Sequence, residues 1–597
     1  MTVEHFQAPD APGFKLDPRV VGAFARFAGG YWRGATGRGA WALTLGLALF
    51  LLLSTAATVG LNHWNRWFFD SLEARDVESL TRAVFVFAAI IASMAAVGVG
   101  IVITRETLQV RWRAWIVEHL VARWLGNQRF YHLNVTGKEP PNPEYRISDD
   151  TRWATEPLVD LGIGLLLAVV NAAAFISILW SVGGSITLDV AGGITVPAYM
   201  VIVALAYGSI ASGLMLWVGA PLVGFVGRKN EAEGYFRFAM MRIRDNAESV
   251  ALMNGARYEQ AILGRFYETV VARWLAIVWQ HGHLTWITNA SGPMIPIIPL
   301  LFAAPKYISG DLSLGQVTQL AAAFVQVQIA ISWVVDNYNR VAEWYASARR
   351  VMDIVDACDA IDSEIAGLSP VQDGSPEQPG TGVRLREFEV ADGAGRPLIQ
   401  GVNLAAAPGE AVHISGESST GKSTLVRVFG RLWPKARGDL ALPDSAEVMI
   451  TPQKSYLPLG SLKGALLYPS PDLVVPDERL AAVLDKVGLG ALAPRLGEVA
   501  RWDQVLSNGE RQRLAIARLL IHRPRVVVLD EALSALEETT QQALLVRLKA
   551  ELPETIIVSL SQRPAAPGLH DRHLVLDRRA GSAAPMPLDA PVLAGAG

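Results

Sequence analysis

Residues Gly416 to Thr424 read Gly-Glu-Ser-Ser-Thr-Gly-Lys-Ser-Thr, and this stretch decides how the C-terminal part of the chain folds. It satisfies the pattern G-x-x-x-x-G-K-[ST] at every fixed position. The apolar run Ala411 to Ile414 before it predicts a strand, and Thr424 to Phe429 begins a helix. In such a loop the glycines let the backbone wrap around phosphate oxygens, while the helix N-terminus offers free N–H groups and a positive dipole. Gly416, Glu417, Ser418, Ser419, Thr420, Gly421, Lys422, Ser423 and Thr424 are therefore expected to hold ATP. Lys422 is expected on the β- and γ-phosphates, and Ser423 on Mg²⁺.

Further along, Val526-Val-Val-Leu-Asp530-Glu531 predicts a buried strand ending in two acids. In a phosphate-loop ATPase, Asp530 would bind Mg²⁺ through water and Glu531 would polarise the attacking water as general base. Between the two motifs lies Leu506-Ser507-Asn508-Gly509-Glu510-Arg511-Gln512-Arg513, followed by the helical run Leu514 to Leu520. These residues resemble the signature of the ATP-binding cassette family, usually Leu-Ser-Gly-Gly-Gln, with Asn508 in place of the first glycine. The resemblance implies that Ser507, Gly509 and Glu510 lie against ATP held by the opposite subunit. Gln453, after the predicted strand Glu447 to Ile450, stands where that family has the glutamine bridging Mg²⁺ and the membrane domain. The likeness to the cassette covers roughly Val383 to Asp577.

Two departures bear on turnover. The segment Ser534-Ala-Leu-Glu537 ends in Glu where the family has Asp, and Ser561-Gln562-Arg563-Pro564 carries Gln562 where relatives have the switch histidine. Glutamine can hydrogen-bond a γ-phosphate, yet it cannot carry positive charge or shuttle a proton as histidine can. Slower hydrolysis is one expectation that these departures raise. The adenine-stacking position aligns with Ala391 or Asp392, neither of them aromatic.

Upstream of the cassette the composition changes. The chain has 597 residues, 51% of them hydrophobic, with a net charge of −3 and a mean hydropathy of +0.27. That is too apolar for an ordinary soluble enzyme and too neutral for a nucleic-acid-binding surface. Cys358 is the single cysteine, so neither an intrachain disulfide nor a thiolate cluster is available. A membrane span needs about 20 apolar residues, and six segments qualify: Trp41 to Leu61, Ala83 to Thr104, Leu161 to Val182, Val196 to Val223, Leu284 to Ile308, and Gln316 to about Asn339. Arginines and lysines crowd two segments, Arg105 to Arg152 and Arg228 to Arg273, which makes both cytoplasmic by the positive-inside rule. Both termini then fall in the cytoplasm. The fold class is thus a six-helix, exporter-like membrane domain joined to an α/β phosphate-loop domain. Its expected limits are a cytoplasmic segment 1–40, the membrane domain 41–350, a linker 351–382 containing the Pro/Gly-rich run Gly367 to Gly382, the ATP-binding domain 383–578, and a disordered tail 579–597.

The membrane half has a likeness of its own. Trp64-Asn-Arg-Trp-Phe-Phe-Asp70, Asn142-Pro-Glu-Tyr-Arg-Ile147, Glu233-Gly-Tyr-Phe-Arg-Phe238 and Arg244-Asp-Asn-Ala-Glu-Ser249 resemble the SbmA/BacA-like bacterial transporters, and more weakly their peroxisomal fatty-acyl relatives. The resemblance implies coupling helices near Asn142 to Asp150 and Asn246 to Ala256, a bacterial inner-membrane location, and import of peptides or related bulky hydrophilic compounds. Cobalamin import and lipid or hydrophobic-compound export are the alternatives. Another is an ion-gradient-driven transporter with a regulatory cassette. Because the signature acts in trans, the economical assembly is a homodimer. In the sixth span Gln316, Gln319 and Gln326 share a helical face, read either as the wall of a water-filled path or as interhelical hydrogen bonding.

Overall fold

The computed structural model describes residues 17–188, 194–367, 372–373, 382–391, 396–417, 420–433, 436–443, 447–470, 472–562, 570–579 and 582–586. Ser418, Ser419, Asp392, Arg563 and Pro564, most of the expected linker run, and the last residues of the tail lie outside them. The chain divides into two compact units, one of Met1–Leu125 with Pro140–Ala357, the other of Gly126–Glu139 with Cys358–Gly597.

The first unit is helical. A short α1 (Pro18–Ala28) precedes α2 (Gly37–Glu73) and α3 (Val77–Leu125). After α4 (Arg129–Thr136), which belongs to the second unit, come α5 (Pro143–Tyr145), a π-turn at Arg146–Asp150, and α6 (Thr151–Gly183). Strands β1 (Ser185–Leu188) and β2 (Ile194–Pro197) pair as an antiparallel hairpin. The unit continues with α7 (Tyr199–Gly219), α8 (Pro221–Asp245), α9 (Ala247–Leu252), α10 (Ala256–Ser291), α11 (Met294–Ile308), α12 (Leu314–Asp336) and α13 (Tyr338–Gly367), whose residues from Cys358 onward belong to the second unit.

Six helical stretches among the described residues are long and apolar enough to cross a membrane: Gly37–Glu73, Val77–Thr136, Pro143–Gly183, Tyr199–Asp245, Ala256–Ile308 and Leu314–Ile365. Their apolar surface has two fates. Phe175, Leu179, Met200, Leu320, Phe324 and Val327 are buried together where α6, α7 and α12 meet, while Leu45, Leu49 and Leu52 on α2 are more than half exposed, as a lipid-facing stripe must be.

Three expectations need correction. The fourth span starts at Tyr199, because Val196 is taken up in the hairpin's backbone pairing. Residues 351–367, expected as linker, continue α13, since Val351, Ile354, Val355, Cys358 and Ile361 recur at helical spacing and are buried. Residues 582–586, expected in the disordered tail, form a strand paired with the one before it. The turn Asn142 to Asp150 is anchored to α13: Arg350 clamps Asp150 through two bonds of 2.8 and 2.7 Å, and Arg146 reaches Asp353 at 2.7 Å. The segment grouped with the ATP-binding residues is α4, whose Arg129 makes a two-bond pair with Asp362 and whose neighbour Lys138 reaches Glu364.

The sixth-span glutamines also sort themselves. Gln316 closes a capping box with Ser313, and Gln319, fully buried, bonds His63 while its carbonyl accepts from Asn62. Both serve helix ends and helix contacts.

The second unit is built on one sheet. Its strands are β3 (Gln372–Asp373), β4 (Val383–Ala391), β5 (Pro397–Ala406), β6 (Ala411–Gly416), β7 (Ala436–Ala441), β8 (Val448–Thr451), β9 (Gly460–Ser461), β10 (Val499–Ala500), β11 (Val526–Asp530), β12 (Ile556–Ser561), β13 (Arg572–Arg579) and β14 (Ser582–Met586). The sheet runs β3-β7-β4-β5-β14-β13-β6-β12-β11-β8 among the described residues, with β9 and β10 pairing apart. From β13 to β8 every pairing is parallel. On one face α14 (Lys422–Phe429) covers Val412, Ile414, Val528 and Val558; on the other, α15 (Leu462–Leu467), α16 (Asp477–Lys486), α17 (Trp502–Val505), α18 (Asn508–His522) and α19 (Glu538–Glu551) enclose Ala411, Val527, Leu529 and Ile557. Central strands buried on both faces must be apolar almost throughout, as β11 is.

Candidate nucleotide site

Four parallel strands end in the residues singled out by sequence. β6 stops at Gly416, β11 at Asp530 before Glu531, β12 at Ser561 before Gln562, and β8 two residues before Gln453. In an open α/β sheet the carboxyl ends of the strands are where ligands bind.

The loop after β6 depends on its glycines. Gly421 has φ +91°, and a Cβ there would come within 2.8 Å of Ile399; one on Gly416 would lie 2.7 Å from the Leu576 carbonyl oxygen. The Thr420 hydroxyl donates to the Glu417 carbonyl at 2.9 Å, closing the turn. The buried Lys422 ammonium donates to the carbonyls of Gly416 and Glu417, the latter at 2.6 Å. Burial holds its pKa below the usual lysine value, with Glu531, Asp530 and Glu417 pulling it back up. Ser423 stands exposed in the first turn of α14.

Opposite this cation stand two adjacent carboxylates. Burial raises the pKa of Asp530, and the charge of Glu531 raises it further, while Lys422 and Arg427 oppose the shift. Such a pair favours a bound cation. Among the described residues no cluster of three His, Cys, Asp or Glu is placed to hold a metal alone, but Mg²⁺ arriving on a nucleotide needs only one or two carboxylates beside the phosphates. The donor set of Ser423, Asp530 and Gln453 fits that requirement. Glu531 itself sits at φ +45°, a conformation costing a non-glycine residue roughly 1–3 kcal/mol, and its N–H is tied to the Leu560 carbonyl at 3.0 Å. Its carboxylate accepts a bond from Gln453 Nε2 at 2.9 Å.

The signature residues form a separate group. Ser507 caps α18, and Glu510 returns the bond: its Oε2 accepts from the Ser507 N–H at 2.9 Å and hydroxyl at 2.7 Å, which lowers the Glu510 pKa. Glu510, expected to touch nucleotide, is thus engaged in the cap of its own helix. Gly509 faces Leu536, which a Cβ would approach to 3.1 Å. Among the described residues, no hydrogen bond or ion pair joins Ser507, Gly509 or Glu510 to the phosphate loop, Asp530 or Glu531. Gln562 is exposed at the end of β12. Glu537 occupies the N-cap of α19 without a side-chain capping bond; its extra methylene departs from the short side chains that cap well. Ala391 contributes its carbonyl to Trp433 Nε1 at 2.8 Å and no ring.

Sequence reasoning missed three supports. Buried Gln512 accepts the Ala535 N–H at 2.9 Å, fixing the segment that ends at Glu537. Arg518, whose pKa burial pushes down to about 10, donates to the carbonyls of Ala465 and Tyr456, pinning the chain that follows Gln453. Finally, His413, three residues before Gly416, lies across the sheet from Ser559 and His573. His573 meets Ser415 at 2.7 Å, and His570 meets Ser559 at 3.1 Å. The only signal was polar residues at every second position of otherwise apolar strands.

Comparison with known proteins agrees with this division. A family model described as "ABC transporter transmembrane region 2" matches residues 35–307, and one described as "ABC transporter" matches residues 399–534. The chain is 27% identical to the inner membrane ABC transporter ATP-binding protein YddA of Escherichia coli, over 86% of this chain and 90% of that one. It is 27% identical to ABC transporter D family member 2, chloroplastic, of Arabidopsis thaliana, over 82% and 77%. With the human lysosomal cobalamin transporter ABCD4 the identity is 26%, over 79% and 81%. The chain is a multi-pass ABC-type transporter half-molecule, a transmembrane domain fused to an ATPase domain that uses ATP and Mg²⁺ to drive transport, and it is related to the broader ABCD and SbmA/BacA-like superfamily.

Proposed function

We propose that two copies of this chain form the working transporter and that its cargo is a bulky organic compound of the cobalamin class. The dimer reading rests on one observation: Ser507 is bonded to Glu510 within its own helix cap, Gly509 faces Leu536, and among the described residues neither is bonded to the phosphate loop of the same chain. A second copy supplies the missing half of each site. In this reading Gly416 to Thr424 would wrap the triphosphate, Lys422 would exchange its loop carbonyls for phosphate oxygens, and Ser423, Asp530 and Gln453 would hold Mg²⁺. Bound Mg²⁺ supplies charge neutralisation between the phosphates. Glu531 orients water and accepts its proton, with Gln453 fixing the carboxylate; Gln562 offers the γ-phosphate a hydrogen bond without charge.

The cargo reading follows the relatives. The mouse and human proteins named as lysosomal cobalamin transporters match over about four-fifths of the chain, whereas no relative described above is named for peptides. Uptake of peptides is accordingly the less supported reading. Purified protein in vesicles of both orientations, given radiolabelled cobalamin or a labelled peptide, tests it. ATP-dependent cobalamin movement that Glu531→Gln abolishes is expected; peptide movement alone would reverse the cargo assignment.

A further inference from the structure

A cavity of about 440 Å³ lies between α8 and α10, lined among others by Phe225, Arg228, Arg265, Glu268 and Arg273. Three guanidinium groups, Arg228 from α8 with Arg265 and Arg273 from α10, thus line it together with a single carboxylate. None of the three takes part in an ion pair among the described residues, although nearby Lys229 is paired with Glu233 at 3.2 Å. On α10 the lining residues Arg265, Thr269, Ala272 and Ala276 recur at three- and four-residue spacing, so one stripe of that helix faces α8.

The distribution of charge along the two helices bears on the depth of this cavity. Residues 190–227 contain no Asp, Glu, Lys or Arg, and Arg228 is the first charge after that run; residues 274–305 are equally free of them, and Arg273 is the last charge before. The charge boundaries of two neighbouring helices therefore both border the cavity, as they would at the level of the lipid headgroups. Trp274 and Trp279 are half or more exposed, as indoles anchoring at a membrane surface would be. Lys229 stacks over Trp274 at 4.5 Å and Arg228 over Phe225 at 5.0 Å, so aromatic faces flank the cations. Excess Lys and Arg on this side make it cytoplasmic, where anionic lipids concentrate.

We infer that this cavity binds the phosphate of an anionic phospholipid from the cytoplasmic leaflet, with Arg228, Arg265 and Arg273 as its donors. Arginine forks match phosphate oxygens two at a time, and Glu268 leaves a net positive site. The acyl chains would leave along the apolar flank of α10 toward Val278 and Trp279, both exposed.

Full-length protein, delipidated in detergent, is titrated with phosphatidylglycerol, phosphatidylcholine or inorganic phosphate and followed by native mass spectrometry. Phosphatidylglycerol is expected to be retained in preference to phosphatidylcholine. The combined variant Arg228→Gln, Arg265→Gln, Arg273→Gln should weaken that retention by about tenfold to a hundredfold, given the contribution of each cation near a membrane surface. The matching variant with Lys at all three positions should keep most of it, and it guards against a general folding defect. Arg273→Gln alone, at an exposed position, gives the same direction of change should the triple variant fail to fold. Equal retention by the Gln variants and wild type, or loss in the Lys variant as complete as in the Gln variant, overturns the inference. Displacement of the lipid by equimolar inorganic phosphate also overturns it, assigning the site to soluble phosphate.

Discussion

The Gln453 side-chain amide donates from Nε2 to Oε2 of Glu531 across 2.9 Å, joining the ends of two adjacent parallel strands, β8 and β11. Glu531 needs the restraint, since its backbone already occupies the left-handed region at φ +45°. Gln453→Ala should therefore lower kcat for ATP by about tenfold, within the range a positioned general base contributes, while leaving the KM for ATP nearly unchanged. Steady-state ATPase assays on the reconstituted protein separate the two constants. A rise in KM at constant kcat would mean that Gln453 only binds nucleotide.

Gln562 directly follows β12, the strand next to β11, and is exposed and uncharged. Gln562→His should speed ATP turnover several-fold and introduce a pH dependence with a midpoint near 6.5, the ordinary imidazole value. A pH–rate profile of variant against wild type checks it; superimposable profiles would show that this site does not use a switch side chain.

Asp150 has a side chain only 1% exposed and is clamped by Arg350 through both guanidinium nitrogens that face it. Removing the cation with Arg350→Ala leaves a buried carboxylate unpaired, a loss of about 3–5 kcal/mol. The expected result is a marked drop in Tm of the detergent-solubilised protein. Arg350→Ala combined with Asp150→Asn should recover a large part of that drop.

Burial, with His413, Lys549 and His573 adding positive charge, holds His570 neutral and pushes its pKa down to about 4, against the smaller pull of Asp571. Unfolded, the same imidazole protonates near 6.5. The unfolded chain then binds more protons between those values, so stability is full above about pH 6.5 and falls as pH drops toward 4, by up to about 3 kcal/mol. Thermal unfolding of the full chain across this window should show the slope, and His570→Gln should flatten it.

These residues differ in how much of them the linear chain disclosed. Gly416 to Thr424, Asp530 and Glu531 were legible because a phosphate loop works through backbone geometry, which demands glycine at fixed positions, and because a central parallel strand is apolar until the residue that leaves the sheet. The six apolar stretches were legible for a similar reason: a helix in lipid satisfies its own backbone, so the requirement falls on composition within one continuous segment. The β1–β2 hairpin was missed because Gly183 to Thr195 carries no alternation strong enough to compete with the helices on either side.

What the sequence determined by itself was the list of parts: membrane helices, phosphate loop, signature and catalytic acids, each encoded by neighbours along the chain. Only the tertiary structure decided which of these touch. Gln453 reaches Glu531 across 78 residues, Arg350 reaches Asp150 across 200, and Arg129 of α4 reaches Asp362 across 233. No local period records such pairs, because a side chain's partner is set by how sheets and helices stack, and the free energy of that stacking is spread over the whole core. The same holds for the arginine-lined cavity, whose three cations lie up to 45 residues apart and become one site only where α8 meets α10.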